Sequence, residues 1–169
     1  MEALEAIKKR RSIRQYKEQT VDEETIKKIL SAAMSAPSAH NQRPWRFIGV
    51  RNRATLNKIA SLHPYAQALK TAPLAIIVCG DYHLIRDEDF WPQDCAAATE
   101  NILLAATALG LGSLWMGVYP KTNLVKTLQE FLDLPQNIVP FSLIALGYAA
   151  KEKESKERYD ETRFSWHEA

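Results

Sequence analysis

A chain of 169 residues with 46% hydrophobic and 25% charged side chains is long enough for one domain with a real core and too short for two comfortable ones. The net charge of +2 is unevenly spread: residues 1–60 hold 13 Lys/Arg against 6 Asp/Glu (+7), and the remainder hold 9 against 14 (−5). A basic first third suits a phosphate ligand or nucleic acid, but the charges do not run along one long helix and no nucleic-acid motif is present, so no nucleic-acid partner is expected.

In chain order, Lys9-Arg10-Arg11-Ser12-Ile13-Arg14 comes first, behind a short amphipathic run carrying Leu4 and Ile7. It puts four basic side chains and a hydroxyl within six residues. Planar guanidinium forks match phosphate oxygens, and the hydroxyl adds a donor. An isolated basic hexapeptide is ordinarily a solvated surface, so this one needs support from elsewhere in the chain. Residues 22–34 carry a helical stripe of Ile26, Ile29, Leu30, Ala33 and Met34, with Asp22 suited to the N-cap and Pro37 closing the segment. The support follows it: Pro37-Ser38-Ala39-His40-Asn41-Gln42-Arg43-Pro44-Trp45 carries amide and hydroxyl groups, is stiffened by two prolines, and can read the edge of a planar heterocycle.

Trp45 to Val50 reads as a strand, Leu56 to Ala60 and Tyr65 to Lys70 as short helices, and Leu74 to Gly80 as a central strand covered on both faces. Residues 81–93 are polar and aromatic and read as a loop or short helix able to shape a pocket through Phe90 and Trp91. Asp94 is expected to cap a long helix, Cys95 to Leu109, rich in small residues and apolar nearly all round. Residues 101–120 lack a charge and have the length of a membrane span, but Asn101, Gly110, Gly112, Gly117 and Pro120 interrupt them. They read as a buried helix, a glycine turn and a strand from Ser113 to Val118, and no membrane partner is expected. Thr122 suits the cap of a further helix carrying Leu124, Leu128, Phe131 and Leu132, and Val139 to Tyr148 reads as the last strand. The charged tail from Lys151 to Ala169 interleaves Tyr159, Phe164 and Trp166, and three aromatics predict that it lies on something.

Phosphate-loop, zinc-protease and nucleophile-elbow motifs are absent, and Gly110-Leu111-Gly112 meets Trp115 where a dinucleotide fingerprint needs its third glycine. Cys79 and Cys95 are sixteen positions apart, with no Cys/His ligand spacing, so neither a disulfide framework nor a metal site is expected. Both read as small buried hydrophobes in a reducing cytoplasm, and the charged N-terminus does not read as a secretory signal.

Three motifs in order carry a resemblance: R-R-S-I-R near the N-terminus, A-P-S-A-H-N-Q-R-P-W after the second helix, and G-L-G-S-L-W-M-G after the long apolar helix. Together they span nearly the whole chain, which resembles a compact member of the FMN-dependent nitroreductase family. The resemblance implies an α+β fold, an α-β-α sandwich whose central, mainly antiparallel sheet is flanked by helices. It implies one domain over residues 1–169, in an intertwined homodimer whose C-terminal tail, about residues 150–169, packs on the partner subunit. FMN binding then falls to Arg10, Ser12 and Arg14 with Arg11 nearby; to Pro37, Ser38, Ala39, Asn41 and Gln42 from the other subunit; and to Trp115, Met116 and Gly117 along the ring. Arg158, ahead of Lys156 and Arg163, completes the phosphate site, and Gln67 aligns loosely with a flavin contact.

The activity implied is hydride transfer from NADH or NADPH through FMN to an electron-poor acceptor such as a nitroaromatic or quinone, by a ping-pong cycle. Arg14 would stabilise the negative charge of the reduced ring. No side-chain acid or base is required, so no catalytic residue and no metal are assigned. A flavin-binding protein with a sensing, storage or specialised role is the alternative.

Overall fold

In a computed structural model of the chain, which describes residues 1–151 and 153–167, a four-stranded sheet lies between two layers of helices. Residue 152 and the last two residues of the expected tail lie outside the described residues. The elements are α1 (Ala3–Lys9), α2 (Glu23–Met34), β1 (Trp45–Val50), α3 (Arg53–Leu62), β2 (Leu74–Asp81), α4 (Trp91–Ala108), β3 (Gly112–Gly117), α5 (Thr122–Phe131) and β4 (Ile138–Gly147). Short 3-10 turns occupy Ala39–Asn41, Ala66–Lys70 and Glu161–Arg163.

The strand order is β1-β2-β4-β3 and every pairing is antiparallel. Strand β2 is buried along its whole length, and its alternate side chains feed opposite cores. Ala75, Ile77 and Cys79 join Leu56, Ile59, Leu69 and Leu128 on the α3/α5 side, while Leu74, Ile76 and Val78 join Ile29, Ala98 and Ile102 on the α2/α4 side. Burial on both faces explains why β2 is an unbroken apolar run. The register slips between Val78 and Cys79, opposite Pro140 near the start of β4, where a residue lacking an N–H is tolerated.

The Ile26, Ile29 and Ala33 face of α2 is buried against α4, and Asp22 caps it by accepting from the Thr25 N–H at 2.8 Å. Helix α4 ends at Ala108, Gly110 turns the chain with φ of 78°, and β3 begins at Gly112, as the interrupted apolar stretch predicts. Among the described residues no helix is long and apolar enough to cross a membrane. Both cysteines are buried and free, and burial pushes both thiols up, that of Cys79 to about 12.

Four local expectations are corrected. Helix α4 starts at Trp91, not Cys95, with Phe90 at the N-cap and Pro92 in its first turn; Asp94 lies inside the helix and does not cap it. Trp91 does not shape an open pocket: it is 1% exposed and its ring packs so closely under Gly80 that a Cβ there would meet it at 2.5 Å. Thr122 is the first residue of α5 rather than its cap, because Lys121 holds the N-cap position with no capping side chain. Helix α3 is longer than Leu56 to Ala60, since Asn52 caps it by accepting from the Thr55 N–H at 3.0 Å.

Candidate flavin site

The basic hexapeptide leaves α1 and lies along β3. Ile13 N–H donates to the Ser113 carbonyl at 2.9 Å, and Ser12 bridges Ser113 in parallel. Gly112 makes this approach possible: a Cβ on it would stand 2.8 Å from Cγ1 of Ile13. Ile13 is buried against β3, while Ser12 is half-buried and Arg14 exposed. Arg14 forms no ion pair or hydrogen bond through its side chain among the described residues.

Arg11 binds the tail to this segment. Its Nη1 donates to the Lys8 and Arg10 carbonyls at 2.9 and 2.6 Å and its Nε to the Glu154 carbonyl at 3.0 Å. Lys153 Nζ adds a bond to the Ser12 carbonyl at 3.0 Å. The tail is thereby laid across the end of α1. Lys8, Arg10, Arg11, Lys156 and Arg158 then line one cleft of about 240 Å³ with Ile7, Ser155 and Glu157. Glu157, the carboxylate there, is turned to its own backbone and accepts from the Arg158 and Tyr159 N–H groups at 2.8 and 3.1 Å. Arg10 also reaches Glu100 on α4 at 3.4 Å; burial pushes the Glu100 carboxyl up and Arg10 pulls it part of the way back. Among the described residues, Nη2 of Arg11 is enclosed with no hydrogen-bond partner, an unsatisfied donor on a residue that lines the cleft. This donor set fits a phosphate.

The segment from Pro37 to Gln42 is held elsewhere. His40, Asn41 and Arg43 all adopt left-handed backbone, with φ of 51°, 52° and 46°, a costly run for residues with a Cβ. Asp94 pins it: one carboxylate oxygen accepts from the Ala39 N–H at 2.9 Å, the other from Nε2 of Gln42 at 2.7 Å. Oε1 of Gln42 accepts from the Arg86 and Asp87 N–H groups at 2.8 and 3.1 Å, so the 82–90 loop hangs on the same amide. Gln42 is 6% exposed and its amide is spent on partners within the same chain. Ser38 Oγ accepts from the Arg43 N–H at 3.0 Å. Pro37 and Asn41 remain exposed, and Ala39 half-buried.

The remaining residues sit apart from both. Met116 is buried in the α3/α5-side core, Trp115 is half-buried beside Phe141 at 6.1 Å, and Gly117 is exposed at the end of β3. Gln67 is exposed on its 3-10 turn and donates to the Ala60 carbonyl at 3.1 Å. Asp94 is the residue whose role sequence reasoning missed, because an Asp ahead of an apolar helix reads as a cap; Pro92 marked the true start.

Helix α4 shows how the two polar segments relate. Arg10 meets it at Glu100, and the Pro37–Gln42 segment meets it at Asp94. Six residues of helix separate these points by ~9 Å along the axis and by six steps of ~100°, a net angle of ~120°, which leaves them on different sides.

The sequence matches the nitroreductase family model over residues 7–62 and 59–148. The chain belongs to the nitroreductase family. A protein of Methanothermobacter thermautotrophicus, provisionally named NADH dehydrogenase/NAD(P)H nitroreductase, is 51% identical over 96% of this chain and 85% of its own. An NADH oxidase, also provisionally named, from Clostridium acetobutylicum superposes with a TM-score of 0.94 at 44% identity, over 97% of this chain and 99% of that one. A provisionally named nitroreductase from Desulfovibrio desulfuricans, solved in complex with FMN, superposes with a TM-score of 0.86 at 31% identity, over 99% and 97% of the two chains.

Proposed function

We propose that this nitroreductase-family protein is an FMN-dependent NAD(P)H oxidoreductase that reduces electron-poor acceptors, nitroaromatics or quinones, in a ping-pong cycle. The observation that carries the reading is the convergence of Arg10, Arg11, Lys156 and Arg158, from opposite ends of the chain, on one cleft. FMN, when bound, supplies the hydride relay between the nicotinamide and the acceptor. Arg10, Ser12, Lys156 and Arg158 hold its phosphate, with Arg11 fixing the tail that delivers the last two. Arg14, exposed and unpaired among the described residues, is free to face the ring and stabilise negative charge that develops there. No acid or base is assigned, since the hydride step requires none.

The working unit in this reading is a homodimer. The placement of Asp94 and Glu100 on different sides of α4 supports it, because a second copy can bring its Pro37–Asn41 segment to the Arg10–Arg14 segment of the first. The backbone of Trp115–Gly117 and the exposed Pro37 and Asn41 are the parts left to meet the ring. Exposed apolar groups also support pairing: Leu4 and Ile7 on α1, and Tyr159, Phe164 and Trp166 on the tail, the last 81% exposed. Two buried free thiols suit a reducing cytoplasm.

An anaerobic absorbance series tests the reading. The purified protein is expected to be yellow, to bleach with NADH or NADPH and to regain colour with a quinone or nitroaromatic, eluting at about twice 19.2 kDa. Colourless protein that takes up no FMN refutes it. Yellow protein that neither nicotinamide bleaches favours the sensing or storage role instead.

A further inference from the structure

His63 is 1% exposed, and both nitrogens of its ring are engaged. Nε2 lies 2.9 Å from the Gly117 carbonyl, and the Tyr65 N–H points at Nδ1 at 3.2 Å. A carbonyl only accepts and an amide N–H only donates, so the ring must carry its proton on Nε2 and leave Nδ1 bare. The backbone around it is fixed as well: His63 N–H donates to the Ile59 carbonyl at 3.0 Å, and its own carbonyl accepts from Ala66 N–H at 3.1 Å. The ring is therefore a rigid strut from the end of α3 to the end of β3. Among the described residues no other side-chain hydrogen bond reaches Trp115–Gly117.

We propose that His63 is a positioning residue for flavin binding: its neutral Nε2–H form holds the Gly117 carbonyl, and with it the exposed end of β3, in the conformation that receives the ring. The proposal rests on the flavin reading above. Gly117 has no side chain to anchor it and ends its strand at the surface, where a free carbonyl would exchange partners with water. A buried ring cannot be displaced that way, so the segment is ordered before a ligand arrives and less ordering is left for binding to supply.

Two substitutions separate this role from simple packing. In His63→Gln the side-chain amide nitrogen reaches the place of Nε2 and keeps the Gly117 bond, losing the acceptor for Tyr65. In His63→Asn the carbonyl oxygen sits at the place of Nδ1 and keeps the Tyr65 bond, losing Gly117. Each removes one hydrogen bond, so both should lose similar stability. FMN affinity, read by quenching of flavin fluorescence on titrating apoprotein, should fall about three- to tenfold in His63→Asn and within about twofold in His63→Gln, the scale of one net hydrogen bond. A two-bond ¹H–¹⁵N spectrum of wild-type apoprotein at neutral pH should show the neutral Nε2–H tautomer at His63. Equal affinity losses in the two variants, or an Nδ1–H ring, overturn the proposal while leaving the flavin reading intact. Wild-type protein that takes up no FMN removes both.

Discussion

Replacing Asp94 with Ala should cost far more than an ordinary substitution in the first turn of a helix. Asp94 is 5% exposed, and its two oxygens accept from the Ala39 N–H and from the Gln42 amide. Alanine leaves both donors without a partner. At about 1–3 kcal/mol for each orphaned buried donor, the loss is about 2–6 kcal/mol. For a chain of this size, a loss near the middle of that range lowers the melting temperature by roughly 8–16 °C. Asp94→Asn keeps one acceptor for Ala39 but sets an NH₂ against the NH₂ of Gln42. If Gln42 flips to accept, it abandons the Arg86 and Asp87 N–H groups. About half of the alanine loss is therefore expected. The left-handed run at His40, Asn41 and Arg43 should relax once unpinned, so FMN affinity falls together with stability. Thermal denaturation at fixed protein concentration, with and without FMN, reads both effects. An Asp94→Ala protein melting within about 1 °C of wild type would show that the carboxylate carries no strain from the segment.

Arg14→Ala should lower FMN retention on dialysis or make the flavin's midpoint potential more negative; both unchanged would remove Arg14 from the site. Arg158→Ala should weaken FMN binding about tenfold at low salt and less at high salt, measured by fluorescence titration, as expected for a charge-assisted phosphate contact. Gly112→Ala puts a Cβ 2.8 Å from Ile13 and should cost about 1–3 kcal/mol in urea unfolding while also weakening FMN binding, because it pushes the basic segment off β3. Burial alone would push the Asp81 carboxyl up, but hydrogen bonds from Arg46, Asn137 and the His83 N–H outweigh it and hold the group below its ordinary 3.8. The carboxylate form therefore stabilises the fold above the unfolded-state value and loses that contribution as pH falls through the folded one. Wild type should exceed Asp81→Asn in urea stability at neutral pH, and the gap should close below about pH 4.

Elements whose periodicity and punctuation agree are legible in the sequence. The α2 stripe with its Asp22 cap, the doubly covered β2 and the break of the long apolar stretch at Gly110 each follow from local pattern. Two of the misreadings share one cause. Asp94 and Thr122 are good capping residues, and a cap is the local use for such a side chain. Here their neighbours decide otherwise: Pro92 fits the first turn of α4 and moves the start upstream, while Asp94 finds partners more than fifty residues away. A tertiary hydrogen bond of that separation has no local signature. The same holds for His63, one of four histidines in the chain, whose partner Gly117 is fixed only by how α3 meets β3. Gln42 was legible as important but not in its manner, since only the fold shows the amide holding a loop rather than facing outward.

The basic hexapeptide shows what the fold adds to a motif. Taken alone, six residues with four cations repel one another and gain little from any single surface contact. Ile13 answers part of that cost by burying against Gly112, which gives the segment a fixed backbone. Arg11 answers another part by spending its charge on three carbonyls instead of a ligand. In doing so it recruits Lys156 and Arg158, which raises the positive charge around the cleft. That arrangement is unfavourable for an empty protein and favourable once an anion is bound. A cluster that the fold works to concentrate, with an Arg11 nitrogen enclosed and unpartnered among the described residues, accords with the phosphate-binding role proposed above.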